Sequence, residues 1–402
     1  MNKRALFISG ILLRILLMPF FSHTDIVMTY RRAEEYVFHG VSIFSYSDPF
    51  VHLIEMINLK LFSIVLPHNF FHVIQYNFYE LPHLNTLLFI FELPYLLAEL
   101  LAWWLVFKYI LKPTTLNIVL VIFNPIILYS VYIFGRYESI PILFSILILI
   151  ELEKKKLSIF KTILYTLGLI FSRFSLIMIL PAFLFIKTRL LDKILILGTS
   201  IISIVIFLVI NRKTPPIGIG DEWLKGGYHT TYFFDAGFNL KGFEQISIFF
   251  VVITIVFLYT YKTLFIKTHK LTSNGLYFSH VALQILFLYY SFSIFHPQYI
   301  SWFIPFYLFI LKYYQDQKLL ITLFILMNVF YLFVPLSWGN ATTTDLFYPI
   351  SRYFGSVDIQ NFIDWYKNSQ LSTIPKSVLS GIFLFTLMEL FNLLKTRNQY
   401  EK

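Results

Sequence analysis

The sequence predicts an all-α integral membrane protein with about 12 transmembrane helices, and three observations carry that expectation. Of 402 residues, 57% are hydrophobic and only 13% charged, where a soluble domain carries about 25% charge. Apolar runs close to the ~20 residues that span a bilayer recur along the chain, separated by short polar connections. The lysines and arginines behind the net charge of +10 sit in those connections, which reads as membrane topology and not as a nucleic-acid-binding face. No cysteine is present, so disulfides, thiol nucleophiles and cysteine metal sites are excluded. Without an internal repeat or low-complexity linker, residues 1–402 read as a single integral domain.

The first apolar run, residues 6–21, follows Lys3 and Arg4. No small-x-small cleavage site comes after it, so it reads as a retained helix and not a signal peptide. Further spans are expected at residues 84–111, 116–134, 139–152, 157–171, 174–186, 194–210, 246–265, 276–295, 299–313, 319–338 and 375–394. With the N-terminus in the cytoplasm, alternation puts Lys108 and Lys112, Lys154 to Lys156, Lys187, Arg189 and Lys193 inside. Lys262, Lys267 and Lys270, Lys312 and Lys318, and the tail join them, as the positive-inside rule requires.

Three outer segments, near 22–83, 211–245 and 339–374, are too long for turns, and function concentrates on long loops held by a rigid scaffold. In the first, Ile26, Tyr30, Ala33 and Val37 recur at helical spacing opposite Arg31, Arg32, Glu34 and Glu35. That pattern predicts a helix lying on the membrane surface. A second amphipathic stretch follows at residues 50–66.

Three constellations can carry chemistry. Asp25, in Ser22-His23-Thr24-Asp25, can act as a general base or cap the surface helix expected to begin at Ile26. Phe123-Asn124-Pro125, followed by Phe134-Gly135-Arg136-Tyr137-Glu138-Ser139-Ile140-Pro141, places Arg136 and Glu138 at the outer end of a span. Charges at such a junction serve function or form a solvated ion pair. His296-Pro297-Gln298-Tyr299-Ile300-Ser301-Trp302 offers donors to phosphate or sugar oxygens beside a proline-broken helix, and also reads as a turn with aromatic anchors. Glu92 and Glu99, two turns apart, read as interhelical hydrogen-bonding groups. His68 and His72 lack the glutamate and third ligand of a metal site. Gly218, Gly220, Gly226 and Gly227 form no phosphate-binding fingerprint, and Asn340-Ala341-Thr342 is an isolated sequon.

Taken in this order, the constellations resemble the multi-spanning GT-C glycosyltransferases. Asp25 to Gly40, continued by Tyr46-Ser47-Asp48-Pro49, is similar to their first outer loop. Asn124-Pro125 with Gly135 to Pro141 resembles their "NP … G-polar-x-acidic-x-x-P" junction. Gln298-Tyr299-Ile300-Ser301-Trp302-Phe303-Ile304-Pro305 resembles the "QY-x-x-W-x-x-P" helix of family 87 polyprenol-phosphate-dependent mannosyltransferases and of the first mannosyltransferase of glycosylphosphatidylinositol assembly. There are departures: His23 stands where an Asp-x-Asp would have its first aspartate, and Arg136 stands where Gln or Asn is common.

The resemblance implies a GT-C-like membrane hexosyltransferase acting on cell-envelope glycans. It would move mannose or another hexose, with inversion, from a polyprenyl-phosphate donor to an extracytoplasmic glycan or lipid. Asp25 would be the catalytic base, with Arg136, Glu138, Arg173, His296, Gln298 and Tyr299 as substrate contacts. No cofactor is expected and a divalent metal is left open; membrane lipids are partners and nucleic acid is not. A transporter or flippase of lipid-linked sugars is the alternative. Eight alanines beside 46 phenylalanines point to an AT-rich genome, and the expected location is the bacterial cytoplasmic membrane with the site on its outer face.

Overall fold

The computed structural model describes residues 2–43, 48–67, 83–210, 237–239, 245–262, 273–292, 296–314, 317–337, 345–354, 360–369 and 371–400. Among them the chain is helical apart from one antiparallel hairpin, β1 (Gly237–Asn239) with β2 (Gln245–Ser247). Before the hairpin come α1 (Lys3–Leu17), α2 (Thr24–Phe38), α3 (Pro49–Val65), α4 (Leu84–Leu105), α5 (Thr115–Ile122), α6 (Pro125–Ile127), α7 (Ser139–Leu152), α8 (Ile159–Ser172) and α9 (Leu190–Ile210). After it come α10 (Ile248–Tyr261), α11 (Asn274–Phe292), α12 (Ile304–Tyr313), α13 (Lys318–Tyr331), α14 (Tyr348–Phe354), α15 (Gln360–Asn368) and α16 (Thr373–Tyr400). His68, His72, the four glycines between 218 and 227, and the sequon lie outside the described residues.

Among the described residues, five helical segments are long and apolar enough to cross a membrane: Leu84–Ile110, Thr115–Ile133, Leu190–Ile210, Lys318–Ser337 and Thr373–Leu394. They carry large apolar side chains outward, among them Ile202, Ile206 and Val209 on α9, an arrangement that suits lipid and marks the protein as membrane-embedded. Four shorter apolar helices, α7, α8, Phe174–Phe185 and α10, fall at other expected spans. A helix the length of α7, 14 residues, rises only about 21 Å against a hydrocarbon core of about 30 Å. The remaining expected spans are helical but belong to neither group, so a count of twelve is part of the proposal below.

Some boundaries differ from the sequence reading for local reasons. α1 stops at Leu17, just ahead of Pro19, which has no N–H to continue the helical ladder. Residues 174–186 form a 3-10 helix over Phe174–Phe185 with Pro181 inside it; proline lacks the N–H an α-helix needs there. Residues 116–134 break at Asn124, whose side chain accepts from Ile127 N at the start of α6. From there the chain continues as a π-helix, Leu128–Ile133.

The chain divides into two compact units. Unit 1 comprises Met1–Leu143, Pro297–Ser301 and Asn328–Lys376, and unit 2 comprises Phe144–His296, Trp302–Met327 and Ser377–Lys402. In unit 2, α11 is buried along nearly its whole length. The Glu153 carboxylate there accepts from Ser273 Oγ (2.6 Å) and from the Tyr313 hydroxyl.

In unit 1, α1 packs on α5 where Gly10 leaves room: a Cβ at Gly10 would fall 2.1 Å from Ile122 Cγ2. One turn on, fully buried Arg14 donates from Nε and Nη2 to the two oxygens of Glu99 (2.8 and 2.7 Å) and from Nη2 to Ile122 O. The Trp103 indole (3.1 Å) and the Tyr132 hydroxyl also donate to Glu99. Every oxygen of this carboxylate is satisfied, the condition under which a buried charge pair is tolerable.

Candidate active site at one end of unit 1

The site starts from the chain's exit from α1. His23 has extended backbone geometry, and its Nδ1 accepts from the Asp25 amide (3.0 Å), so His23 is the cap of α2. This corrects the reading of Asp25 as the cap of a helix beginning at Ile26. The helix begins at Thr24, and Asp25 stands in its first turn, where a negative charge is favoured by the helix dipole. The His23 ring stacks on Phe134, 3.9 Å between centroids. Burial, with Arg136 nearby, lowers its pKa from 6.5 to about 4 despite the opposing pull of Asp25. His23 is therefore a neutral acceptor at pH 7.

Phe134 and Arg136 belong to the turn after the π-helix. Gly135 has φ +71° and makes that turn possible, since a side chain would be strained there and would press on Ile26 of α2. Arg136 reaches across the gap. Its Nε lies 3.7 Å from Asp25 Oδ2, its Nη1 donates to Thr29 Oγ1 (3.3 Å), and its Nη2 donates to the Tyr137 hydroxyl (3.3 Å). The Tyr137 hydroxyl in turn donates to Asp48 Oδ2 at 2.5 Å. The Asp25 side chain keeps 34% of its surface exposed and Arg136 12%, so solvent reaches the pair.

The third constellation enters through Ser130. Its carbonyl accepts from the Arg136 amide (3.2 Å), and its hydroxyl donates to the Gln298 carbonyl (3.4 Å). Gln298 is 1% exposed, and among the described residues its side-chain oxygen has no hydrogen-bond partner. Glu138 is fully buried and interacts electrostatically with Tyr331, whose hydroxyl lies 3.5 Å from Ser130 Oγ. Part of the late long segment joins the same end: Ser22 N donates to Leu346 O, and Phe21 meets Phe347 edge-on.

Asp25, Arg136, Glu138, Gln298 and Tyr299 thus belong to unit 1, whereas Arg173 and His296 belong to unit 2. Arg173 is buried at the break between α8 and the 3-10 helix, with its guanidinium 5.5 Å from the Trp302 ring centroid.

Two further readings change. Glu34, expected on the solvent face of α2, is fully buried, and α2 packs against α3. α3, the second amphipathic stretch, buries His52, Glu55 and Asn58 together with Val51 and Leu59, and exposes Ile57, Leu61, Ile64 and Val65. Its polar face bonds inward, with Tyr95 Oη donating to Glu55 Oε1 (2.6 Å), His52 Nδ1 3.1 Å from Glu55 Oε2, and Asn58 donating to Ile90 O. Glu99 makes the interhelical bonds expected of it, but both oxygens of fully buried Glu92 have no partner among the described residues.

Sequence reasoning missed His23 as a cap, Tyr137 with Asp48, and Arg14. Arg14 had a signal: a basic residue inside the first apolar run calls for an acidic partner on another span. Compared with protein-family models, curated proteins and solved structures, the chain matches none.

Proposed function

We propose that the protein is a GT-C-type membrane glycosyltransferase. It transfers mannose or another hexose from a polyprenyl phosphate to an extracytoplasmic glycan or lipid, with inversion. The observation that carries this reading is that Asp25 contacts Arg136 while Gln298, from a third distant stretch, is tied to the same turn through Ser130, at one end of unit 1. In the proposed topology of twelve spans with cytoplasmic termini, that end faces away from the cytoplasm. Nucleotide sugars are absent there, so the donor arrives from the bilayer.

Asp25 is the base in this reading: it is partly exposed and freed from capping by His23. The acceptor hydroxyl oxygen attacks the anomeric carbon and its proton passes to Asp25. The bond from that carbon to the phosphate oxygen breaks, and the electron pair leaves with the lipid phosphate. Arg136 supplies a fixed cation for the departing phosphate, and the unfilled acceptor on Gln298 suits a sugar hydroxyl. Glu138 and Tyr299, also of unit 1, join the proposed contact set, while for His296 and Arg173 a contact role is only what the resemblance implies.

The test uses detergent-solubilised protein with short-chain polyprenyl-phosphate mannose and glucose, scored by release of polyprenyl phosphate with and without a simple glycan acceptor. Turnover without a sealed compartment separates an enzyme from a flippase. A folded, monodisperse preparation that consumes neither donor, yet moves them across proteoliposomes, would replace this reading with transport.

A further inference from the structure

A shallow groove runs between α1 and the C-terminal half of α4 within unit 1, walled by Phe7, Ile11, Leu100, Trp103 and Phe107. Phe7 meets Phe107 edge-on (5.4 Å), while Gly10, later in α1, faces Trp103, earlier in α4. The two helices therefore run antiparallel. Lys3, one turn before Phe7, lies toward the same end as Lys108 and Lys112, and all three are exposed.

The Lys108 ammonium closes that end of the groove, 4.3 Å from the Trp104 ring centroid and 5.1 Å from that of Tyr109. Among the described residues no carboxylate pairs with it. The walls belong largely to Leu84–Ile110, a segment apolar enough to cross a membrane. Trp104 is 53% exposed and Tyr109 44%. Exposed aromatics beside a lysine at the end of an apolar span mark the depth of lipid headgroups.

We propose that this groove binds an anionic phospholipid, with one acyl chain lying along Phe7, Ile11, Leu100 and Trp103 and the phosphate held by Lys108. A zwitterionic lipid fits the same walls but brings a compensating cation to Lys108 and gains less. The site depends on the protein's place in a membrane and not on the transferase reading.

The test is made on the full chain in phosphatidylcholine nanodiscs doped with lipid brominated on its acyl chains, which quenches nearby tryptophan. The groove's share of the signal is the part lost in Trp104→Phe. Brominated phosphatidylglycerol is expected to quench that share at about fivefold lower mole fraction than brominated phosphatidylcholine, the effect of one lysine at an anionic surface. Lys108→Gln, at an exposed position, should bring the two lipids to parity. Equal quenching in the wild-type protein overturns the proposal. A preference that survives Lys108→Gln also overturns it, because the headgroup would then sit on another cation.

Discussion

Among the described residues of unit 1, the pairs Arg14–Glu99 and Arg136–Asp25 differ in almost everything except their chemistry. Arg14 and Glu99 are sealed, with side chains 0% and 3% exposed, in two-pronged contact at 2.7 and 2.8 Å, and the remaining capacity of Glu99 is taken by Trp103 and Tyr132. Arg136 and Asp25 meet at a longer distance, 3.7 Å, partly open to solvent, and Arg136 turns other donors to Thr29 and Tyr137. A pair whose hydrogen bonds are complete holds helices together. A pair partly open to water can be reached by a ligand, and contributes little to stability because water screens it.

Substitutions at the two pairs should therefore fail in different assays. The largest loss of stability is expected for Arg14→Ala, which strands Glu99 in the interior at a cost of about 3–5 kcal/mol. It is read as a lowered thermal midpoint in detergent. Replacing both partners by methionine should recover most of that loss, and an unchanged midpoint in Arg14→Ala would erase the distinction between the pairs.

Asp25→Asn should leave the midpoint nearly unchanged while lowering turnover by roughly 10²-fold or more, as loss of a general base does. The cap on His23 is untouched, so a fall in stability without loss of turnover would make this pair structural too. Arg136→Ala should raise the apparent donor KM by about an order of magnitude, with Arg136→Lys restoring part of it, because a single ammonium cannot reproduce guanidinium geometry. Normal donor kinetics would leave Arg136 as an interface anchor.

A further effect concerns pH. His23 titrates near 4 in the folded protein against 6.5 ordinarily, so the unfolded chain takes up its proton first. The stability contributed by neutral His23 is complete above about pH 6.5 and is lost progressively as pH falls toward 4. His23→Asn keeps a good cap and should flatten that part of the stability–pH curve. An identical slope in the variant would assign it to other groups.

The long spans were legible because hydropathy saturates: Leu84–Ile110 and Leu190–Ile210 leave no other reading. Shorter elements were read less well where one residue outweighed the pattern, as Pro181 did in the run at 174–186. α3 is legible in the sequence as amphipathic, but which face turns inward is not. Amphipathicity alone does not say whether the apolar face meets a core or lipid; Glu55 turns inward, where Tyr95 donates to one of its oxygens and His52 lies against the other. At the candidate site, the residue types were visible from local motifs. The Asp25–Arg136 contact was not, since nothing local couples positions so far apart in sequence. The cap was misplaced because histidine ranks below aspartate as a capping residue, and only the backbone geometry reveals that its ring nitrogen does the work.

The π-helix Leu128–Ile133 gives the site a phase. Its wide turn, closed by Phe134 N to Tyr129 O at 2.7 Å, accommodates one residue more than an α-helical turn would over nearly the same rise. Without that extra residue, everything beyond it would rotate by about 100° around the helix axis. Phe134 would leave the His23 ring and Arg136 would swing away from Asp25. A single added residue thus acts as an angular setting that brings two remote stretches of chain into register, and shortening this segment by one would uncouple them without altering either partner.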